Sequence, residues 1–296
     1  MIRALDHMPN VIDIHAAGTA MRFLTAYLCV TPGTHVITGT ERMQQRPIRI
    51  LVDALRTLGA HIAYAGNEGF PPLRITGTRL TGSEIELPGN VSSQYISALL
   101  MIGPVLENGL TVHLTGDIIS RSYINLTLQL MHEFGAEAGW STEDTLSVSA
   151  KPYRPIPYYV ESDWSAASYW YEMAALCEEA EIELPGLFRQ SYQGDSKVAE
   201  LFGQLGVETV YEDRKVILRK SGTPVTRMDY NFINQPDLAQ TFVVTCALLD
   251  IPFRFTGLQS LKIKETDRIA ALIAEMKKLG YVIREAEDSI LYWEGE

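Results

Sequence analysis

Residues 236–296 read PDLAQTFVVTCALLDIPFRFTGLQSLKIKETDRIAALIAEMKKLGYVIREAEDSILYWEGE. Within KETDRIAALIAEMKKLG, the apolar residues Ile269, Leu272, Ile273, Met276 and Leu279 recur at three- and four-residue steps, which predicts an amphipathic helix that Gly280 ends. The earlier run PDLAQTFVVTCALL is apolar on nearly every side and predicts a helix buried inside its domain. IPFRFTG, YVIREAE and SILYWEG have the character of short strands. The order is helix, strand, helix, strand, strand, an α/β unit.

The same unit recurs. A Leu/Phe-Gly doublet closes an amphipathic helix at Gly59, Gly135, Gly206 and Gly280, spaced 76, 71 and 74 residues apart. A second glycine, at the end of a strand, keeps the phase at Gly39, Gly116, Gly186 and Gly257. Four copies are therefore predicted, their first helices (TAMRFLTAYLCV, SSQYISALLMIGPVL, AASYWYEMAALC and the run at 236–249) lying inside. Residues 2–17, a short helix IRALDHM and a strand VIDIHA, read as the tail of a preceding unit. A unit of this size is too large for a thin solenoid, and prolines at 152, 155 and 157 interrupt the pattern. Two domains are expected, residues 1–158 with two full repeats and residues 159–296 with two more.

Composition narrows the class. The chain is 46% hydrophobic and 21% charged with a net charge of −11, so neither nucleic acid nor an anionic membrane is expected as a general partner, and any anion site must be local. Cys29, Cys177 and Cys246 sit far apart in apolar stretches and read as buried free thiols of a cytoplasmic protein. The first residues lack a signal-peptide core, and the longest apolar run, around Ala98 to Leu106, is too short to span a bilayer. No metal is expected, because the six histidines never pair at ligand spacing. Nor is a nucleotide cofactor, because GxGxxG and GxxxxGK[ST] are both missing.

Polar residues gather where helices begin. First helices start at Gly18-Thr19, Ser92-Ser93-Gln94, Asp163-Trp164-Ser165 and Pro236-Asp237; second helices start near Arg46-Pro47, Ser120-Arg121-Ser122-Tyr123, Gly194-Asp195-Ser196 and Lys264-Glu265. Capping explains the Ser, Thr and Asp residues. It does not explain Arg22, Arg46, Arg121, Lys264 and Arg268, since a cation at a helix N-terminus costs roughly a few tenths of a kcal/mol. Cations repeated at such points in an acidic protein read as sites for a small molecule bearing phosphates or carboxylates, with hydroxyls and Gln94 giving directional hydrogen bonds. Asp237 and Glu265, placed beside these cations, are the candidate general base and acid.

These segments, taken in order, resemble the 5-enolpyruvylshikimate-3-phosphate synthase family: GTAMR (18–22), RPI (46–48), SSQ (92–94), Ser120 with Tyr123, DWSAASY (163–169), PDLAQT (236–241) and KETDR (264–268). The resemblance implies an enolpyruvyl transferase fold, with two domains of repeated units closing around shikimate 3-phosphate and phosphoenolpyruvate. The reaction implied is addition of the shikimate 5-hydroxyl to C2 of phosphoenolpyruvate as C3 is protonated, followed by loss of phosphate, without a cofactor. It implies Asp237 as base and Glu265 as proton-transfer residue. Ser92, Ser93, Gln94, Ser120, Tyr123 and Lys264 would hold shikimate 3-phosphate, and Gly18, Arg46, Gln94 and Arg268 phosphoenolpyruvate. Thr19, Arg22 and Ser260 belong to the same substrate-binding set. Gly18 leaves room for the inhibitor glyphosate.

Ala16 and Ser260 stand where the family usually has Asn. The family's Lys-Ser, Asp-His-Arg and later lysine motifs have no counterpart, so the chain is expected to lack a leading and a closing unit, to be inactive alone, and to self-associate through bared apolar faces. Alternative readings are a relative of the UDP-N-acetylglucosamine enolpyruvyl transferases, disfavoured by cysteines that read as helix core, and a non-catalytic anion-binding protein of the same fold.

Overall fold

Alternation sets the strands: in EIELP, residues 84–88, Ile85 and Leu87 are buried while the residues between and beside them are exposed, the period of a sheet covered on one face. The computed structural model describes residues 2–295, the side chains of residues 2–4 and 263 excepted. The chain divides into two compact units, residues up to Ile156 and residues from Pro157 onward.

In the first unit, α1 (Ile2–His7) precedes β1 (Val11–Asp13), α2 (Gly18–Cys29), β2 (Thr34–Thr38), α3 (Glu41–Gln44), α4 (Arg49–Thr57), β3 (His61–Tyr64) and β4 (Leu73–Thr76). A second module follows: β5 (Glu84–Pro88), α5 (Ser93–Ile102), β6 (Leu110–Thr115), α6 (Arg121–Glu133), β7 (Ala138–Trp140) and β8 (Thr145–Val148). The second unit holds α7 (Trp164–Leu176), β9 (Glu181–Pro185), α8 (Val198–Gly203), β10 (Val207–Glu212) and β11 (Lys215–Lys220). It ends with β12 (Met228–Asn231), α9 (Ala239–Leu248), β13 (Phe253–Thr256), α10 (Arg268–Lys278), β14 (Arg284–Ala286) and β15 (Ile290–Trp293).

The sheets share one topology. Their orders are β1-β2-β4-β3, β5-β6-β8-β7 and β12-β13-β15-β14, with β9-β11-β10 matching except for the leading strand. That leading strand runs parallel to its neighbour (Val11 opposite Val36, Ile85 opposite Val112, Met228 opposite Phe253), and the other pairs are antiparallel. The repeat is therefore strand, helix, strand, helix, strand, strand, one strand more than the sequence reading assigned. It also corrects the reading of residues 2–17, because Val11–Asp13 pairs with β2 and so opens the first module. The glycines that close the second helices take left-handed backbone, with φ of +104° at Gly59, +82° at Gly135 and Gly206, and +98° at Gly280.

Each unit has its own core. α2 packs on α5 in the first, burying Met21, Leu24, Leu28, Ile96, Leu99 and Leu100. In the second, α7 packs on α9 and a run of rings, Phe202, Phe242 and Phe232, carries the contact inward with centroids 4.6 and 5.5 Å apart. α7 departs from the expected full burial. Its Tyr169, Trp170, Met173 and Leu176 are exposed, because α8, α9 and the sheet cover only its other side. Cys177 also corrects its reading: it follows α7 where the chain leaves the core, and it is exposed. Cys29 and Cys246 are buried, which pushes each thiol up to about 12.

Candidate active site

The parallel strand pair explains why helix starts gather. Two adjacent parallel strands end at the same edge of their sheet, so the helices that follow them begin along that edge, the usual place for ligand-binding residues in such sheets.

In the first unit, α2 begins after Ala17, which offers no side-chain cap to the first N–H groups. Long helical side chains lean toward the N-terminus, so Arg22, one turn in, reaches back and donates to the Gly18 carbonyl at 3.2 Å and to the Pro47 carbonyl at 3.5 Å. Its guanidinium lies 5.9 Å from the Tyr95 ring centroid, and the Tyr95 hydroxyl donates to the same Pro47 carbonyl at 2.5 Å. Arg46 packs against Gly18 as well. A methyl group built on Gly18 would come within 2.6 Å of Arg46 Nη1 and 3.2 Å of Arg22 Nη1, so the absence of a side chain is what admits both guanidiniums. Arg22 is 3% and Arg46 6% exposed, which concentrates their charge in a region of low polarizability. Gln94 Nε2 donates to Thr19 Oγ1 at 3.1 Å and so joins the start of α5 to the start of α2. Ser92 caps α5 by accepting from the Gln94 N–H at 3.4 Å.

Ser120 is buried in left-handed backbone (φ 56°, ψ 35°) immediately before α6, whose first turn carries Tyr123. α5 and α6 are bonded through Ser97 and Thr127, 2.7 Å apart. Arg121 does something other than its sequence position implies. Its guanidinium lies over the Trp140 ring at 4.0 Å and donates to the Glu143 carbonyl, so it braces β7 and the following turn.

The second unit differs between its modules. At the starts of α7 and of the helix containing Asp195 the charges are acidic: Asp163 caps α7 by accepting from Ser165 N at 2.8 Å, and the buried Asp195 accepts from the Ser165 hydroxyl. The last module carries the cations. Asp237 lies in a 3-10 turn ahead of α9, and its Oδ1 accepts from Arg268 Nη1 at 2.9 Å and meets Lys264 Nζ at 3.2 Å. Arg268 Nη2 donates to Glu265 Oε2 at 3.0 Å. These three side chains, Asp237, Arg268 and Lys264, are 29%, 24% and 22% exposed. Asp267 caps α10 through Ala270 N at 3.0 Å, and Ser260 sits half-buried in the 3-10 turn before Lys264.

The cations at this helix start thus have a counter-charge inside the protein. Burial by itself would raise the Asp237 carboxyl, but the charges of Lys264 and then Arg268, with the hydrogen bonds from both, hold it below the ordinary aspartate value. A carboxylate held this way is ionised and restrained. The sequence reading missed Gln240 and Tyr169, although both lie in quoted motifs: Gln240 Oε1 accepts from Arg268 Nη1 at 3.2 Å, and its Nε2 donates to the Asp237 carbonyl at 2.6 Å and to Tyr169 Oη at 3.3 Å.

Comparison with known proteins adds names to this geometry. The family model described as EPSP synthase (3-phosphoshikimate 1-carboxyvinyltransferase) matches residues 2–296. A Bacteroides fragilis protein named 3-phosphoshikimate 1-carboxyvinyltransferase is 69% identical over 296 residues, which is 100% of this chain and 72% of its own length. Relatives of the same name from Shewanella halifaxensis and Photobacterium profundum are 37% and 38% identical, with 66% and 64% of their lengths covered. The solved EPSP synthase of Acinetobacter baumannii superposes with a TM-score of 0.70 at 23% identity, over 97% of this chain and 66% of that one, a likeness of fold.

Proposed function

This chain belongs to the EPSP synthase family, and from that premise we propose that it carries machinery for transferring the enolpyruvyl group of phosphoenolpyruvate to the 5-hydroxyl of shikimate 3-phosphate, releasing phosphate. The observation that carries the reading is one oxygen of Asp237 shared by Lys264 and Arg268 at a helix start.

Both substrates are anions. In the first unit the buried pair Arg22 and Arg46, beside the uncapped N–H groups at Gly18 and Thr19, offers a carboxylate or phosphate two guanidiniums and a helix N-terminus. Ser92, Ser93, Gln94, Ser120 and Tyr123 supply the neutral donors that suit shikimate 3-phosphate. In the second unit, a substrate anion that draws Lys264 and Arg268 toward itself weakens the attractions that restrain Asp237. Asp237 then becomes the stronger base and takes the proton of the 5-hydroxyl as its oxygen bonds to C2 of phosphoenolpyruvate. Glu265, half-exposed and paired with Arg268, delivers a proton to C3 and takes one back as phosphate leaves and the double bond re-forms. Half-buried Ser260 fits a hydrogen-bonding part beside Lys264. The buried thiols Cys29 and Cys246 accord with a cytoplasmic setting.

The test is phosphate release from the two substrates by wild type and Asp237→Asn, each joined to the leading and closing units of the Bacteroides fragilis relative, of which the chain covers 72%. The reading expects turnover to fall by at least about a hundredfold while phosphoenolpyruvate still binds. Undiminished turnover by Asp237→Asn removes Asp237 from the chemistry.

A further inference from the structure

Arg268 faces a difficulty if Asp237 is to act as a base. Its Nη1 is oriented by the same carboxylate that must take up a proton, so the anchor weakens when the chemistry proceeds. A second, uncharged anchor is present. Gln240 follows Asp237 by three residues at the start of α9, a spacing that sets its side chain back over the 3-10 turn.

The orientation of its amide is fixed by its partners. The Asp237 carbonyl can only accept, and the Arg268 guanidinium can only donate, so Nε2 must face the first at 2.6 Å and Oε1 the second at 3.2 Å. Tyr169 on α7 completes the arrangement at 3.3 Å from the same Nε2. Arg268 is thereby held at Nη1 by Gln240 and at Nη2 by Glu265, independently of the protonation state of Asp237. Tyr169, Gln240 and Arg268 line one recess of about 310 Å³ with Ala271, Leu272 and Glu275, which leaves the exposed side of the guanidinium open to a ligand.

We propose that Gln240 is a positioning residue that keeps the Arg268 guanidinium aimed at a bound anion while Asp237 exchanges its proton, with the Tyr169 hydroxyl steadying the amide. The proposal rests on the enolpyruvyl-transfer reading above. Glutamate at this position would set an acceptor against the Asp237 carbonyl, and methionine would keep the size while removing both bonds.

Two measurements on Gln240→Met test it. In protein labelled with nitrogen-15 arginine, the Arg268 guanidinium should be rotationally restricted in wild type and at least severalfold faster in the variant. In kinetics, KM for phosphoenolpyruvate should rise about three- to tenfold and kcat should fall, with KM for shikimate 3-phosphate changed by less than about twofold. Tyr169→Phe should shift both readouts in the same direction by less. If Gln240→Met fails to fold, Gln240→Leu, which also removes both bonds, reads the same two quantities. An equally restricted guanidinium in the variant, or an unchanged KM for phosphoenolpyruvate, overturns the proposal. If wild type joined to a relative's leading and closing units does not turn over the two substrates, the enolpyruvyl-transfer reading fails instead, and guanidinium rotation still decides whether Gln240 orients Arg268.

Discussion

Replacing Asp237 by asparagine preserves shape and removes the charge that Lys264 and Arg268 share. At contacts of 3.2 and 2.9 Å, each pair is worth about 5 kcal/mol of gross Coulomb attraction at an effective dielectric constant of ~20. Desolvation of three charged groups offsets most of this. Breaking a fully buried pair costs about 3–5 kcal/mol, and with roughly a quarter of each side chain exposed the expected net loss is about 2 kcal/mol, or a melting temperature lower by about 4–8 °C for a unit of this size. The loss must depend on pH. Because the folded carboxyl is held below its unfolded value of about 3.9, its contribution is present above that pH and disappears as pH falls through the lower folded value. Unfolding of wild type and Asp237→Asn, followed from pH 7 down to pH 3, should therefore show a gap that narrows toward acid. Without the Asp237 charge beside them, the two cations should also bind inorganic phosphate more tightly in the variant. A variant as stable as wild type at pH 7, or a penalty indifferent to pH, would refute the reasoning.

Other consequences separate the roles assigned to neighbouring residues. Gly18→Ala puts a methyl group 2.6 Å from Arg46 Nη1; phosphoenolpyruvate affinity measured by calorimetry should fall about tenfold with little change in melting temperature, because the displaced atoms end flexible side chains. Arg121→Ala removes the stack on Trp140 and should lower stability by about 0.5–1 kcal/mol while leaving phosphoenolpyruvate affinity unchanged, whereas Arg46→Ala should weaken that affinity severely. A colorimetric thiol reagent at pH 8 should modify Cys177 promptly and reach Cys29 and Cys246, whose thiols are pushed up to about 12, only on unfolding.

The repeat was legible because its punctuation is chemical: left-handed backbone at the end of each second helix calls for glycine, and Gly59, Gly135, Gly206 and Gly280 mark the phase. Of the leading strands only VIDIHA was read as one, and it was given to a preceding unit; EIELP was passed over although Ile85 and Leu87 alternate with polar neighbours, and Met228–Asn231 is a strand by its parallel pairing with β13. The same contrast holds at the site. Helix starts could be read from caps and periodicity to within a few residues: Gly18 opens α2 and Ser120 immediately precedes α6, whereas Arg46 lies three residues before α4, Lys264 four before α10, and Asp237 in the 3-10 turn ahead of α9. Where a long side chain ends depends on its tertiary neighbours: Arg121 turned to Trp140, and Lys264 and Arg268 found Asp237 from an earlier helix start. Gln240 was passed over because an amide one turn after an aspartate carries no charge signal. The alternative of a UDP-N-acetylglucosamine enolpyruvyl transferase is set aside by identity to relatives named 3-phosphoshikimate 1-carboxyvinyltransferase.

The central claim is that bound substrate takes Lys264 and Arg268 from Asp237 and so releases the base. Carbon-13 titration of the Asp237 carboxyl, alone and with shikimate 3-phosphate plus an unreactive phosphoenolpyruvate analogue, tests it directly. The account predicts a value below ordinary aspartate in the free protein and a clear rise on binding. An Asp237 that titrates identically in both states, with ligand shown to be bound, would contradict it.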